Sequence, residues 1–204
     1  MAGRRPSAPP PREEVRDEDW YARELVTEGY VGVAFIDVDM TEVANTGSVF
    51  EDCTFRGVRF NVSTHTNAAF LRCTFSGCSF FDATFTGSKL VGSSFTRCTF
   101  SSTKVAGGDW SFVSLEGADL RTASFIDVRM REVDLGGVRA DGAVLRNVDL
   151  SGASLRATSF AGADLRGSDL STIDPSAVEL RGAIITWEQA TQISTALGLD
   201  VRPE

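Results

Sequence analysis

Large apolar residues recur at every fifth position over most of the chain. They occupy 27 of the 31 positions from Phe35 to Ile185 in this register, and the register never slips. The four exceptions are Asn45, His65, Ala140 and Pro175. A helix repeats every 3.6 residues and a strand every 2, so neither element explains this period. The pattern predicts a chain that turns a corner every five residues.

A second series lies two residues before each of these positions. It contains small or β-branched residues, from Val33 and Val38 through to Val178 and Ala183. Both series must point inward, and the three remaining positions of each unit must face water. A sequence with such a fixed period belongs to the repeat architectures, in which each unit stacks on its neighbours.

The unit itself is best preserved at Ala118-Asp119-Leu120-Arg121 and Ala163-Asp164-Leu165-Arg166-Gly167. These stretches resemble the A(D/N)LXX signature of the pentapeptide-repeat family. The resemblance implies an all-β fold, a right-handed quadrilateral parallel β-helix with four units per turn. The 31 units then make about eight coils, each of 20 residues, closed by a short C-terminal capping helix.

Composition divides the chain into four segments. Residues 1–17 form a Pro-rich tail that we expect to be disordered. Residues 18–30 are either an N-terminal cap or a degenerate first coil, because Trp20, Leu25 and Tyr30 keep the period of five. The β-helix occupies residues 31–185, and residues 186–204 form a capping or dimerisation helix with a short tail.

The C-terminal segment carries the signals of a helix. Thr186-Trp187-Glu188-Gln189 has the form of a capping box, and Gly198 is a stop signal, so a helix is predicted from Trp187 to about Leu197. Its apolar positions would cover the last coil, either as a cap alone or, in the interpretation we favour, as a cap that also joins two subunits. The candidate interface residues are Trp187, Ala190, Ile193, Leu197 and Leu199.

The polar residues that suggest chemistry are explained by packing. Cys53, Cys73, Cys78 and Cys98 all fall in the small inward series, and members of each pair 20 apart should stack in neighbouring coils. We expect them to fill the core as thiols. The single histidine, His65, occupies a large inward slot one coil above Asn45, which predicts a hydrogen bond between them. No catalytic, cofactor-binding or metal-ligating residues are predicted, and the chain is expected not to be an enzyme.

Charge narrows the choice of partners. The formal net charge is −8 and the pI is about 4.8, which argues against direct nucleic-acid binding and against anionic membranes. No apolar run approaches the roughly 20 residues of a membrane-spanning helix, and the N-terminus has no apolar signal region. We therefore expect a cytoplasmic protein that binds another protein.

The resemblance is strongest to the fluoroquinolone-resistance proteins of the Qnr and MfpA type. It implies an acidic, homodimeric rod that imitates DNA, binds DNA gyrase and alters sensitivity to quinolones or other topoisomerase poisons. The candidate acidic surface comprises Asp119, Asp134, Asp149, Asp164 and Asp169. Residues 31–185 nevertheless carry a net charge of only −4. The alternative is therefore a protein–protein interaction scaffold with no topoisomerase role.

Overall fold

The backbone turns a corner at the second residue after each large inward side chain. The computed structural model describes residues 13–202, and from Asp17 to Gly167 all but one of these corner residues have positive φ. Glycine adopts this left-handed conformation without strain, whereas Asp37 (φ 54°) and Val62 (φ 58°) adopt it at some cost. The repeated corner converts the period of five into a four-sided coil.

Residues 20 apart pair in parallel on neighbouring coils. Phe35 pairs with Phe55, Phe55 with Phe75, and Phe75 with Phe95. Four units therefore complete one turn, and the predicted parallel β-solenoid is confirmed.

Fifteen short strands and one helix make up the described chain. The strands are β1 (Glu13–Arg16), β2 (Glu24–Val26), β3 (Gly29–Val31), β4 (Val33–Ile36), β5 (Ala44–Thr46), β6 (Val49–Glu51), β7 (Thr54–Arg56), β8 (Thr64–Thr66), β9 (Ala69–Leu71), β10 (Thr74–Ser76), β11 (Thr84–Thr86), β12 (Ser94–Thr96), β13 (Lys104–Ala106), β14 (Ser124–Ile126) and β15 (Val144–Arg146). The helix is α1 (Trp187–Ala196).

The strands form three sheets, one on each of three faces. Their orders are β1-β4-β7-β10-β12, β3-β6-β9 and β15-β14-β13-β11-β8-β5-β2. Single bridges, such as Asp19 to Asp39 and Ser79 to Thr99, make the fourth face. The longest sheet has seven strands, which gives about seven turns, slightly fewer than the eight coils expected from the sequence. Beyond β15 the strand pairing between coils is reduced to single bridges.

The solenoid starts earlier than the sequence boundary predicted. Strand β1 lies inside the segment assigned to the disordered tail and pairs with β4. The repeat pattern did not predict this coil, because Glu18, Arg23 and Glu28 occupy the inward positions that hold small residues in later coils. The expected disorder of residues 1–12 concerns a segment outside the described residues.

At the N-terminal end these charged side chains form a network over the core. The Arg23 guanidinium lies 4.2 Å from the centre of the Trp20 ring and 3.2 Å from Glu28. Tyr30 donates a hydrogen bond to Glu28, and the Trp20 indole N–H donates to Glu18 at 2.7 Å. Residues 18–30 are thus both a regular coil and a polar cover for the apolar interior.

Stacked aromatic rings fill the first half of the core. Phe35 and Phe55 stack with ring centres 4.9 Å apart, and Phe55 and Phe75 at 4.7 Å. A second column contains Phe60 and Phe80 at 4.9 Å. After Trp110, aliphatic side chains, mostly leucine, fill most inward positions.

Helix α1 closes the C-terminal end, and its capping box is confirmed. The Thr186 hydroxyl accepts a hydrogen bond from the Gln189 N–H at 3.4 Å, and the Gln189 side chain accepts one from the Thr186 N–H at 2.7 Å. Gln189 is buried, and its Nε2 donates to the carbonyl oxygens of Leu165 and Ser168, at 2.7 Å each. A polar side chain therefore satisfies carbonyl groups of the last coils.

Candidate binding surfaces

Across residues 13–202, the side chains of the chain itself fill the interior of the rod. Phe35, Phe55 and Leu135 each have at most 1% of their surface exposed. Across residues 13–202 there is no group of three or more His, Cys, Asp or Glu side chains that could hold a metal ion. Nor does the described chain contain a helix long and apolar enough to cross a membrane. The outer surface is therefore where a partner would bind.

His65 belongs to a buried hydrogen-bond network. The Asn45 Nδ2 lies 3.3 Å from His65 Nδ1, which confirms the predicted contact. His65 Nε2 lies 3.0 Å from the Ser63 hydroxyl, which in turn donates to the Phe60 carbonyl at 2.6 Å. A neutral ring with its proton on Nε2 satisfies every bond. Burial lowers the pKa of His65 to about 3, and no other titratable side chain contacts its nitrogens within the described residues. Its role is packing.

Charge is distributed very unevenly along the rod. The first two coils, residues 13–52, contain twelve acidic residues and two basic ones, a net charge of −10; we call this segment the acidic end. The next segment, residues 53–108, contains six basic residues and one acidic one, a net charge of +5, and we call it the basic band. Residues 109–202 have a net charge of −5. The whole-chain value conceals this separation.

Several carboxylates of the acidic end share one corner of the rod. Asp17 and Asp37 occupy the same corner position on successive coils, and Asp19 bridges to Asp39 on the adjoining face. Arg59 of the basic band pairs with Asp39 at 2.7 Å, which holds the pKa of Asp39 at about 2. Among residues 13–202, no ion pair involves Asp17, Asp19 or Asp37. These three carboxylates are therefore not paired with a cation of the described chain and can contact a partner.

The five aspartates predicted from the sequence do not form such a surface. Asp119 pairs with Arg121 and Arg139, both at 2.7 Å, and Asp164 pairs with Arg166 at 2.6 Å. The arginine hydrogen bonds lower the pKa of Asp119 and of Asp164 to about 2. The Asp149 carboxylate pairs with Arg131, while the Asp134 and Asp169 carboxylates each accept a backbone N–H two residues on. The five aspartates belong to all four faces, and three of them, Asp119, Asp149 and Asp164, are paired with arginines.

The predicted interface residues at the C-terminal end are divided between two environments. Ile193 packs against the core and Ala190 is partly buried. Trp187 is 79% exposed, Leu197 60% and Leu199 59%. The helix directs Gln189, rather than Trp187, towards the last coil. Of the apolar residues predicted to cover that coil, Ile193 packs against the core, whereas Trp187 and Leu197 do not. Trp187 is left on the surface.

Sequence comparison identifies the repeat. A family model described as pentapeptide repeats, in eight copies, matches residues 134–171. This is the stretch where leucine fills the inward slot, and the same five-residue unit continues in register on both sides of it. Over residues 134–171 the chain is therefore similar to the pentapeptide-repeat family.

A second family model, described as the SV2A/B/C luminal domain, matches residues 25–100. That stretch contains most of the stacked phenylalanines. No curated protein matches the chain.

Solved pentapeptide-repeat structures resemble it at low identity. A trypsin-treated variant of QnrB1, described as a plasmid-mediated fluoroquinolone resistance protein, is 18% identical over 94% of this chain and 99% of its own, with a TM-score of 0.46. HetL, from the cyanobacterium Nostoc and described as involved in heterocyst differentiation regulation, is 18% identical over 85% of this chain and 86% of its own, with a TM-score of 0.48. A pentapeptide repeat protein of the Arabidopsis thaliana thylakoid lumen is 20% identical over 78% and 68%, with a TM-score of 0.26. Such values say nothing about a shared partner.

Proposed function

We propose that this pentapeptide-repeat protein is a non-enzymatic, cytoplasmic binding rod that presents its acidic end to the basic surface of a protein partner. The supporting observation is the net charge of −10 on residues 13–52. Opposite charges across an interface accelerate association and select the partner. The solid interior and the lack of a metal-binding cluster in the described chain are compatible with binding through the outer surface.

The charge density suggests what kind of surface would fit. Two coils span about 10 Å of the rod axis at the usual spacing between strands. The acidic end thus carries about one negative charge per Å, against about one per 1.7 Å in B-DNA. Over this short length the rod exceeds the charge density of DNA, whereas the average over residues 31–185 falls below it. A DNA-binding surface, such as that of DNA gyrase, is therefore the candidate partner.

A supercoiling assay tests this proposal. The purified chain is titrated into DNA gyrase at low salt, with and without a quinolone. We expect inhibition of supercoiling, or protection from the drug, that weakens as salt is raised. If the chain has no effect at micromolar concentration, gyrase is not the partner, and the alternative of an interaction scaffold with another partner is preferred.

Variants that replace aspartate by asparagine test whether the acidic end is the binding surface. Asp17→Asn, Asp19→Asn and Asp37→Asn remove three charges from the acidic end, and asparagine tolerates the positive φ at Asp17 and Asp37. The combined variant should lose most of the effect on gyrase.

The matched control removes three charges elsewhere. It combines Glu116→Gln, Asp127→Asn and Glu132→Gln, all of which lie outside the acidic end. Equal loss in both variants would show that net charge, rather than the acidic end, determines binding.

A homodimer through the C-terminal end is part of the same proposal. Trp187, Leu197 and Leu199 are exposed, and Ile184 and Val201 of the same C-terminal segment are 48% and 47% exposed. Exposed apolar side chains that cluster in this way mark interaction sites. Light scattering should give twice the 21.9 kDa chain mass, and Trp187→Ser combined with Leu199→Ser should give the monomer. A monomer at high concentration for the parent chain would contradict the dimer.

A further inference from the structure

On the fourth face of the rod, the ladder of backbone hydrogen bonds between coils is interrupted between the coil of Cys98 and the coil of Asp119. On that face, Thr99 N–H donates to Cys78 C=O at 3.0 Å in the coil pair below, and Arg139 N–H donates to Ala118 C=O at 3.0 Å in the pair above. In the pair between them, the equivalent bond from Asp119 N–H to Cys98 C=O is missing. Phe80 N–H donates to Thr99 C=O and Leu120 N–H donates to Arg139 C=O. Within the described chain, the equivalent bond from Phe100 N–H to Asp119 C=O is also missing.

The corner at Thr122 is altered at the same level. Thr122 is the one corner residue between Asp17 and Gly167 that does not have positive φ. Its hydroxyl oxygen instead accepts the Ser102 N–H at 3.0 Å, which replaces a ladder bond. The ring spacing widens nearby, from 4.9 Å between Phe60 and Phe80 to 5.4 Å between Phe80 and Phe100.

The interruption opens a cleft of about 400 Å³ between the two coils. Its walls are Cys98, Thr99, Phe100, Ser101, Asp119, Arg121 and Thr122. Cys98 is partly exposed, whereas Cys53, Cys73 and Cys78 are each 1% exposed. The cleft thus brings solvent to a single thiol of the four.

Cys98 stacks on Cys78 of the coil below. The two residues are 20 apart, the register that pairs Ser79 with Thr99 in parallel. Parallel neighbours lie about 4.8 Å apart, which is within the range of Cα separations that disulfides span. Hydrogen bonding from the Cys78 thiol lowers the pKa of Cys98, which favours the reactive thiolate.

We propose that Cys98 is a peroxide-sensitive thiol and that Cys78 is its resolving partner. The Cys98 thiolate attacks one oxygen of hydrogen peroxide, the O–O bond breaks, and hydroxide leaves and takes up a proton to form water. The Cys98 sulfenic acid is then attacked by the Cys78 sulfur, which loses its proton as a second water leaves. Two thiols lose two electrons, one peroxide is reduced to two waters, and a disulfide joins the coils.

The chain contains its own control for this proposal. Cys53 and Cys73 have the same spacing of 20, and a hydrogen bond from the Cys73 thiol lowers the pKa of Cys53 in the same way. Both are buried, however, and the ladder above Cys73 is intact, with Ser94 N–H donating to Cys73 C=O at 2.9 Å. The two pairs therefore differ in solvent access.

The first measurement is thiol labelling of the folded full chain with a maleimide, followed by mass spectrometry. Cys98 should react at least ten times faster than each of the other three cysteines. Equal rates for Cys98 and Cys53 would overturn the proposal, because the cleft would then give no preferential access.

The second measurement is oxidation by hydrogen peroxide, followed by alkylation and non-reducing digestion. A Cys78–Cys98 disulfide should form, and a Cys53–Cys73 disulfide should not. The Cys78→Ser variant should stop at a sulfenic acid on Cys98 that dimedone captures, and Cys98→Ser should abolish both products. Absence of the Cys78–Cys98 disulfide in the parent chain, or its formation no faster than that of Cys53–Cys73, would contradict the inference.

Discussion

The rod has two halves that share one repeat and fill it differently. We call residues 13–112 the ring half and residues 113–185 the leucine half. The ring half contains thirteen of the fifteen strands, whereas the leucine half contains two and is otherwise held by single bridges. Corner residues differ as well: glycine occupies seven of twenty positive-φ corners in the ring half and seven of eleven in the leucine half.

The difference shows that a flat side chain can set the spacing of a coil. Ring centres in the Phe35 to Phe95 column lie 4.6 to 4.9 Å apart, which equals the distance between hydrogen-bonded strands. Stacking and strand pairing therefore favour the same geometry. Leucine has no planar face to stack, so the leucine half depends more on glycine corners and less on continuous strands.

The largest effect should come from removing one ring from a column. Phe75 stacks on Phe55 at 4.7 Å and on Phe95 at 4.6 Å, so Phe75→Ala leaves a cavity and breaks both contacts. We expect a loss of about 5 kcal/mol in the free energy of unfolding, against about 3 kcal/mol for Leu135→Ala. Urea unfolding measures both. Equal losses would mean that stacking adds nothing beyond burial.

His65, a polar residue in the core of the ring half, should make the free energy of unfolding depend on pH. The pKa of His65 is about 3 when folded and about 6.5 when unfolded, so below pH 6.5 the unfolded chain binds a proton that the folded chain does not. Stability is therefore full above pH 6.5 and falls by up to about 1.4 kcal/mol per pH unit as pH drops towards 3.

The window from pH 6.5 to 5 isolates this group, because the paired aspartates such as Asp119 have pKa values of about 2. The His65→Phe variant, which extends the ring column over Phe85, serves as the control. Its unfolding free energy should be nearly flat between pH 7.5 and 5. An equally flat profile for the parent chain would contradict the prediction.

The smallest effect should come from exchanging corner residues between the halves. Val62 is a β-branched residue at φ 58°, so Val62→Gly should relieve strain and stabilise the chain by about 0.5 kcal/mol after the entropy cost of glycine. Gly142→Val makes the reverse change where a new Cβ meets no atom within 4 Å, and should destabilise by about 1 kcal/mol. Thermal unfolding compares them. If Val62→Gly destabilised the chain or Gly142→Val stabilised it, the prediction of strain at β-branched corners would be wrong.

Much of the fold could be predicted because the period of five fixes which side chains point inward. It placed Phe75, Cys78 and His65 in the core, and local rules predicted the capping box at Thr186. The inward position of Gln189 could not be predicted, because a buried glutamine is explained only by the two carbonyl groups that it meets. The start of β1 was hidden by charged residues that only the end of a solenoid accommodates.

The candidate surface was less predictable than the core. The sequence drew attention to aspartates of the repeat motif, such as Asp119, yet arginines 2 and 20 residues away neutralise that carboxylate. The acidic end is visible in the sequence only when charge is summed coil by coil. The cleft at Cys98 lies beside Thr122, the corner residue that lacks the positive φ of the repeat. We found no sequence pattern that predicts this change of backbone conformation.

The bonds of Gln189 also determine how long the molecule is. A five-residue repeat has no intrinsic limit, because each coil offers the next one the same backbone groups. The Gln189 side chain donates to the Leu165 and Ser168 carbonyl oxygens, which a further coil could otherwise contact, and so marks the end of the solenoid. A whole 20-residue coil inserted before it would lengthen the rod by about 4.8 Å and keep both ends unchanged. Evolution, or an engineer, could thus adjust the distance between the acidic end and Trp187 in discrete steps.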